Sequence, residues 1–255
     1  MKSDIWITIN SVKNWTDAKL WNEFLKQLET LMGDEIVKLD DKDPIRRKAD
    51  IRNDEGSFVI NFGAKEDSRW ICGKFARSKV EFEIQLYKTG VDSFGRPREN
   101  KFKAFIPHGM SFGPSAGKLI AVFRYAVERL EAFYAYADFK DEICSKKPCT
   151  PSLDISRELL GVFWLTYFGS SYCDFFQRQI LLNRSEATDG PLKGITLQLA
   201  ETPGQVAAES RSAIETSLGK YSFAGSGGEK SPGQYALSLE NLTADLLANP
   251  PSGSL

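Results

Sequence analysis

The stretch that decides the fold is VEFEIQLY, Val80 to Tyr87, in which apolar and polar side chains alternate. Successive side chains of a β-strand point to opposite faces, so this alternation predicts a strand with one buried and one exposed face. The buried face comprises Val80, Phe82, Ile84 and Leu86, and the exposed face comprises Glu81, Glu83 and Gln85. A strand that is solvated on one side is typical of antiparallel sheets.

Three neighbouring segments extend this prediction to a sheet. GSFVINFGA (56–64) and RWICGKFA (69–76) precede the stretch, and KFKAFIP (101–107) follows it, each with the composition of a strand. Segments this close along the chain pair as antiparallel neighbours, because parallel strands need long crossover connections. A further strand, IWITIN (5–10), lies near the N-terminus.

Two amphipathic helices are expected to pack on this sheet. In the first, residues 14–33, apolar side chains recur at helical spacing, with Thr16 as a possible cap and Gly33 as the end. In the second, the apolar stripe runs from Leu119 to Ala137. The charged segment 38–55 between the first helix and the sheet is predicted as a loop. The fold class is therefore α+β, with a mainly antiparallel sheet and helices packed on it.

The second half of the chain repeats this mixture. A strand within 159–168, a helix over 170–183, a strand over 193–201, a helix over 203–219 and a last strand over 235–242 are predicted. We expect one domain over 1–255, or two tightly packed lobes with a boundary near 140–152, where prolines bracket a loop. Residues 249–255 are expected to form a frayed tail.

Composition excludes several classes of function. The chain has 33 basic and 34 acidic side chains, and this balance gives no general attraction to nucleic acids or anionic membranes. The N-terminus lacks the apolar core of a signal peptide, and the longest apolar run, Leu159 to Phe168, is about half of a membrane span. Four scattered cysteines without a C-x-x-C pair indicate neither a disulfide scaffold nor zinc. We therefore expect a cytoplasmic protein with no metal, no cofactor and no membrane or direct nucleic-acid partner.

One motif suggests a serine hydrolase. Residues 113–117 spell G-x-S-x-G around Ser115, and His108, the only histidine, lies seven residues upstream. Hydrolases with this nucleophile turn place the acid and the histidine after the serine, and no histidine follows here. Ser115 is better explained as a helix N-cap, with the hydrolase kept as an alternative.

A second pattern suggests a metal-dependent nuclease. Asp67 followed by Glu83 and Gln85 matches the acidic residue and E-x-Q of restriction-type nucleases. Acidic and amide side chains also alternate with apolar ones on any half-exposed antiparallel strand, and this is the simpler explanation of Glu83 and Gln85. With one histidine and no phosphate-binding motif, the sequence favours a binding protein over an enzyme.

The stretch ELLGVFWLTYFGSSYCDFF, Glu158 to Phe176, is rich in aromatic side chains and predicts a buried strand, a turn at Gly169 and a helix returning to the core. Together with the segments around Trp70 and 194–205, it resembles the bacterial immunity proteins of polymorphic-toxin and type VI secretion systems, specifically immunity protein family 52. The resemblance spans about half of the chain, from Phe62 to Gln205.

That resemblance implies a cytoplasmic antidote without enzymatic activity, which neutralises a cognate nuclease-type toxin by stoichiometric binding. A nuclease presents basic groups to DNA, so its inhibitor gains association rate from a complementary acidic surface. Two acidic clusters are candidates for toxin binding. The first comprises Asp40, Asp41 and Asp43, and the second comprises Asp138, Asp141 and Glu142.

Overall fold

The computed structural model describes residues 3–50, 54–61, 66–88, 98–110, 114–146, 159–219 and 222–224. The chain forms two compact units, Met1–Ala132 and Phe133–Leu255. The division precedes the segment 140–152, in which the sequence suggested a boundary. The predicted last strand at 235–242 and the tail at 249–255 lie outside the described residues.

The first unit contains an antiparallel sheet with helices against it. Its described elements are β1 (Ile5–Ser11), α1 (Ala18–Met32), β2 (Ile36–Asp40), α2 (Glu55–Ile60), β3 (Ser68–Phe75), β4 (Glu81–Tyr87), β5 (Asn100–Ile106) and α3 (Pro114–Arg129). The strand order is β2-β3-β4-β5-β1, and all four neighbouring pairs are antiparallel. The α+β class predicted from the sequence is confirmed.

The alternation in β4 decides which side of the sheet is buried. Phe82, Ile84 and Leu86 are fully buried, whereas the side chains of the polar positions between them are half-buried. Ile84 lies opposite Ile71 of β3 and Phe102 of β5. The ring of Phe102 also meets Phe24 of α1, with the centroids 5.0 Å apart. The helices therefore cover the apolar face of the sheet, and the alternating polar positions form its outer face.

The ends of α1 follow capping rules in part. Gly33 ends the helix in the left-handed conformation, with φ of 63°, as the sequence predicted. The N-cap is Asp17, whose side chain accepts a hydrogen bond from the Lys19 amide, rather than Thr16. The Thr16 hydroxyl donates to Asn14 instead, so the capping role moves one residue along the chain.

Two predictions for the first unit are wrong. The segment 56–64 was expected to be a strand, but α2 occupies Glu55–Ile60, and residues 62–64 lie outside the described part of the chain. Gly56 packs against the first turn of α1. A Cβ atom there would lie 2.0 Å from the carbonyl oxygen of Ala18, so only glycine allows this approach. The segment 38–55 was expected to be a loop, but its first residues belong to β2, which pairs with β3.

The second unit also combines an antiparallel sheet with short helices. Its described elements are β6 (Tyr134–Phe139), α4 (Lys140–Ser145), β7 (Leu165–Phe168), α5 (Ser170–Phe175), α6 (Arg178–Leu182), β8 (Ala187–Asp189), β9 (Ile195–Gln198) and α7 (Ala208–Gly219). The strand order is β6-β7-β9-β8, and these neighbours are antiparallel. Trp164, Tyr167, Phe168, Tyr172 and Phe176 are buried, which confirms that the aromatic stretch forms core.

Three details of the second half differ from the sequence-based prediction. The helix expected to reach Ala137 ends at Arg129, and β6 follows after a turn in which Glu131 has φ of 47°. The single helix predicted over 170–183 is divided into α5 and α6 at Gln177, whose φ is 60°. Phe175 was expected in the core, but it is 36% exposed.

None of the helices in the described part of the chain has the length and apolar character needed to cross a membrane.

Candidate functional site

The outer face of the first unit carries a cleft of about 360 Å³ beside the exposed side chain of Trp70. Two elements form it: the outer face of β3, β4 and β5, and the segment that follows β2. We call it the Trp70 groove. Its lining residues are Asp41, Lys42, Asp43, Ile45, Trp70, Cys72, Glu81, Phe82, Glu83 and Phe105.

Trp70 occupies the groove because of its position in β3. Its neighbours Arg69 and Ile71 are buried, so the period of two places the indole on the outer face, opposite Gln85 of β4. The residue is 58% exposed, the largest exposure of a large hydrophobic residue in the described part of the chain. The Phe105 ring meets the edge of Trp6, with a centroid distance of 5.4 Å, and adds a second aromatic surface to the groove.

Four carboxylates line the groove, and three of them have a cationic partner. Asp41 lies 3.4 Å from Arg69, Glu81 lies 2.5 Å from Lys74, and Glu83 lies 3.7 Å from Lys103. Within the described residues, Asp43 has no ion-pair partner. The groove therefore combines an exposed indole with a rim of acidic groups.

The pKa values of two lining residues report the electrostatics of the groove. Burial, together with the nearby carboxylates of Glu83 and Asp43, raises the pKa of the Cys72 thiol to about 11. Burial also raises the pKa of Glu83, while the ammonium group of Lys103 opposes that shift. A thiol with such a pKa is protonated at neutral pH, so Cys72 is a poor nucleophile here.

Asp40, predicted to bind a partner, has a structural role instead. Its carboxylate is buried and accepts hydrogen bonds from the backbone amides of Arg46 and Arg47, both at 2.8 Å. These bonds lower the pKa of Asp40. Asp40 thus fixes the loop that carries Asp41 and Asp43 into the groove, while its own side chain is withdrawn from the surface expected from the sequence.

The second acidic cluster is divided between the interior and the surface. Asp138 is fully buried in β6, where it accepts hydrogen bonds from Arg211 (2.8 and 3.0 Å) and the Trp164 amide (2.8 Å). Burial raises the pKa of Asp138, and the Arg211 guanidinium opposes that shift. Asp141 is exposed, and Glu142 lies 3.7 Å from Arg211 with its side chain 45% exposed. Asp138 is therefore removed from the surface on which the sequence placed it.

The residues of the nuclease pattern do not come together. Asp67 lies 2.8 Å from Arg98. Cys72 pairs with Glu83 across β3 and β4, and Asp67 precedes Cys72 by five positions, which corresponds to about 16 Å along a strand. No group of three or more potential metal ligands occurs within the described residues. The geometry therefore gives this pattern no metal site in that part of the chain.

The hydrolase motif falls largely outside the described residues. Residues 111–113 and the side chain of Ser115 are among those the structure does not describe. Helix α3 begins at Pro114, so Ser115 lies in its first turn rather than at the expected N-cap. The backbone amide of His108 donates to Asp4. The hydrolase alternative therefore remains a sequence-based hypothesis.

Comparison with known proteins gives matches among solved structures only. No known family matches the chain, and neither does any curated protein. Among solved structures, the chain is similar to PA0821, a type VI secretion system protein of Pseudomonas aeruginosa, with a TM-score of 0.58 and 13% identity. The match covers 95% of this chain and 81% of that protein. At this identity the similarity establishes a shared fold.

Proposed function

We propose that this chain is an immunity protein that binds and neutralises the cognate toxin of a type VI secretion system. The observation that carries the proposal is the similarity of its fold, over 95% of the chain, to a protein of that secretion system. The immunity role itself comes from the sequence resemblance to immunity protein family 52, which no family model confirms. We further propose that the protein acts in the cytoplasm by stoichiometric binding and is not an enzyme.

The Trp70 groove is the proposed contact surface for the toxin. Protein interfaces are enriched in tryptophan and arginine, and energetically dominant residues cluster in pockets that lose water on binding. Trp70 is a large apolar side chain that the folded protein leaves 58% exposed beside a cleft. Asp41 and Asp43, predicted from the sequence to contact a toxin, lie on the same groove.

A nuclease is the proposed class of toxin. Its DNA-binding surface must carry basic side chains, and the groove offers four carboxylates to such a surface. Acidic groups that complement a basic partner accelerate association and exclude partners of the wrong charge. Binding either at the nuclease active site or beside it would satisfy this description.

The test uses the effector encoded beside the gene for this protein. Its C-terminal domain should form a complex of fixed stoichiometry with the purified chain in size-exclusion chromatography with light scattering. Co-expression should restore growth to cells that produce that domain. Absence of both binding and rescue would overturn the proposal.

The enzyme alternatives are tested on the same preparation. The purified chain should neither hydrolyse a chromogenic ester nor nick plasmid DNA in the presence of magnesium. Ester hydrolysis that disappears in Ser115→Ala would establish the hydrolase, and nicking that disappears in Glu83→Gln would establish the nuclease.

A further inference from the structure

Trp70 is distinguished from the other described tryptophans by its exposure. Trp15, Trp21 and Trp164 are fully buried, and each indole donates a hydrogen bond to a backbone carbonyl. The Trp70 indole instead presents much of its surface to the solvent beside the cleft. Burying exposed apolar surface of this kind on association is favourable, and here it lies beside a cleft that a partner's side chain can enter.

The charges of the groove favour a cationic occupant. The lining contains four carboxylates and a single ammonium group, that of Lys42. Lys74 and Lys103, the partners of Glu81 and Glu83, do not belong to the lining, and both pairs are partly solvated. Such pairs contribute little to stability, so a competing cation displaces them at low cost. Asp43, without an ion-pair partner among the described residues, can receive a cation directly.

The same unit already contains an arginine held by an aromatic ring and a carboxylate. The Arg47 guanidinium lies 3.9 Å from the centroid of the Phe58 ring and 2.7 Å from the carboxylate of Glu55. The groove provides the corresponding two components, an exposed indole and carboxylates, without an arginine in its lining. Tryptophan is the strongest aromatic partner for a cation, and guanidinium both stacks on rings and pairs with carboxylates, which an ammonium group does less well.

We infer that the Trp70 groove binds an arginine side chain of the toxin, stacked on the Trp70 indole and paired with the carboxylate of Asp43. The inference rests on the proposed function, because it identifies the chemistry of the partner at that contact. The raised pKa of Cys72, to which four nearby carboxylates contribute, agrees with a negative field inside the groove.

The experiment measures the affinity of the effector's C-terminal domain for variants of the groove by calorimetry. Trp70→Ala should weaken binding by about 30-fold, the size of a strong interface contact. Trp70→Phe should weaken it less, because a smaller aromatic ring remains, and Asp43→Asn should weaken it by about tenfold. The matched controls are Phe175→Ala for an exposed aromatic side chain and Glu128→Gln for an exposed acid, and neither should change the affinity. Thermal melting confirms that every variant is folded.

Arginine-to-methionine variants of the toxin domain identify the occupant. One of them should show an effect that is strongly non-additive with Trp70→Ala and Asp43→Asn, as expected for side chains in contact. If Trp70→Ala weakens binding but no arginine variant is coupled to it, the occupant is not an arginine and the inference is wrong. If the complex forms with unchanged affinity in Trp70→Ala, the inference is wrong while the proposed function stands. If the wild-type chain and the toxin domain form no complex, both are overturned.

Discussion

The two acidic clusters, Asp40 to Asp43 in the first unit and Asp138 to Glu142 in the second, are alike in composition and different in structure. In the first, Asp41 and Asp43 line an open groove. In the second, Asp138 is fully buried against Arg211. Asp40 of the first cluster is also buried, but by the backbone amides of Arg46 and Arg47. An acidic run in a sequence therefore predicts a surface only for those members that neither a distant cation nor nearby backbone amides bury.

The difference follows from the cost of removing a carboxylate from water. That cost is several kcal/mol unless donors replace the lost hydration. Asp138 receives hydrogen bonds from Arg211 and from the amides of Trp164 and Phe139. Asp41 has a single long contact with Arg69, and its side chain remains 39% exposed.

The largest predicted loss of stability comes from changing the buried acid, Asp138. Asp138→Asn leaves the buried Arg211 charge with only the longer, partly solvated contact to Glu142, and should lower the free energy of unfolding by about 3–5 kcal/mol. Urea denaturation measures this loss. Asp43→Asn is the control and should change stability by less than about 0.5 kcal/mol, because its side chain lies on the surface.

A double variant separates the cost of leaving the Arg211 charge unpaired from the cost of altering the packing around Asp138. Replacing both partners, in Asp138→Asn with Arg211→Met, removes the uncompensated charge. The introduced amide oxygen can still accept from the backbone amide of Trp164 or Phe139, so this double variant should recover much of the stability. Wild-type stability in Asp138→Asn alone would show that the Asp138–Arg211 pair does not hold the second unit together.

A second prediction concerns an acid that is buried without a tightly paired cation. Asp34, next to the end of α1, accepts hydrogen bonds from the amides of Ser78, Arg77 and Glu35. Burial by itself would raise the pKa of Asp34, but these hydrogen bonds, led by that of Ser78, hold the pKa well below its usual range. Asp34→Asn should cost about 1–3 kcal/mol at neutral pH.

The pH dependence of that cost has a defined sign. The pKa of Asp34 is lower in the folded state than the value of about 3.9 in an unfolded chain, so the unfolded state binds the proton first. The stabilisation is complete above pH 4–5 by this argument and declines as the pH falls through the folded-state pKa. Unfolding curves from pH 6 to pH 2 should therefore converge for the wild type and Asp34→Asn, and a constant difference would contradict the assignment.

The smallest predicted effect on stability comes from changing an exposed acid, Asp43. Asp43→Lys should leave the free energy of unfolding within about 0.5 kcal/mol of wild type, since the side chain lies on the surface. Association with the toxin domain should become slower and less dependent on salt, because the attraction to a basic surface is weakened. Stopped-flow kinetics at several salt concentrations measure both. The same reversal at Asp141 is the comparison, and unchanged kinetics in both variants would contradict the acidic-surface hypothesis.

Local sequence patterns were sufficient to predict some of the strands and helices. Alternation identified β4 and the outward position of Glu81 and Glu83, and helical spacing identified α1 with its end at Gly33. Both signals depend on residues close in the chain. Burial of the aromatic stretch around Trp164 was predictable for the same reason.

The groove and the buried pair depend on contacts between distant residues. Asp138 and Arg211 are 73 positions apart, and no local pattern joins them. The segment 38–55 is so rich in charged residues that its pattern does not predict β2. The pairing of β2 with β3 places Asp41 and Asp43 beside Trp70. Both acids can be identified as candidates from the sequence, but no local pattern associates them with that tryptophan.

The close approach of Gly56 to Ala18 has an evolutionary consequence. Helices α1 and α2 meet at a point where even one methyl group has no room, so every relative that keeps this crossing must keep glycine there. Sequence identity to the structural relative from Pseudomonas aeruginosa is only 13%. At that level a sequence alignment has few positions that can be matched with certainty. We therefore expect glycine at the position corresponding to Gly56 in members of this fold that keep the same crossing, and that glycine offers a starting point for aligning them.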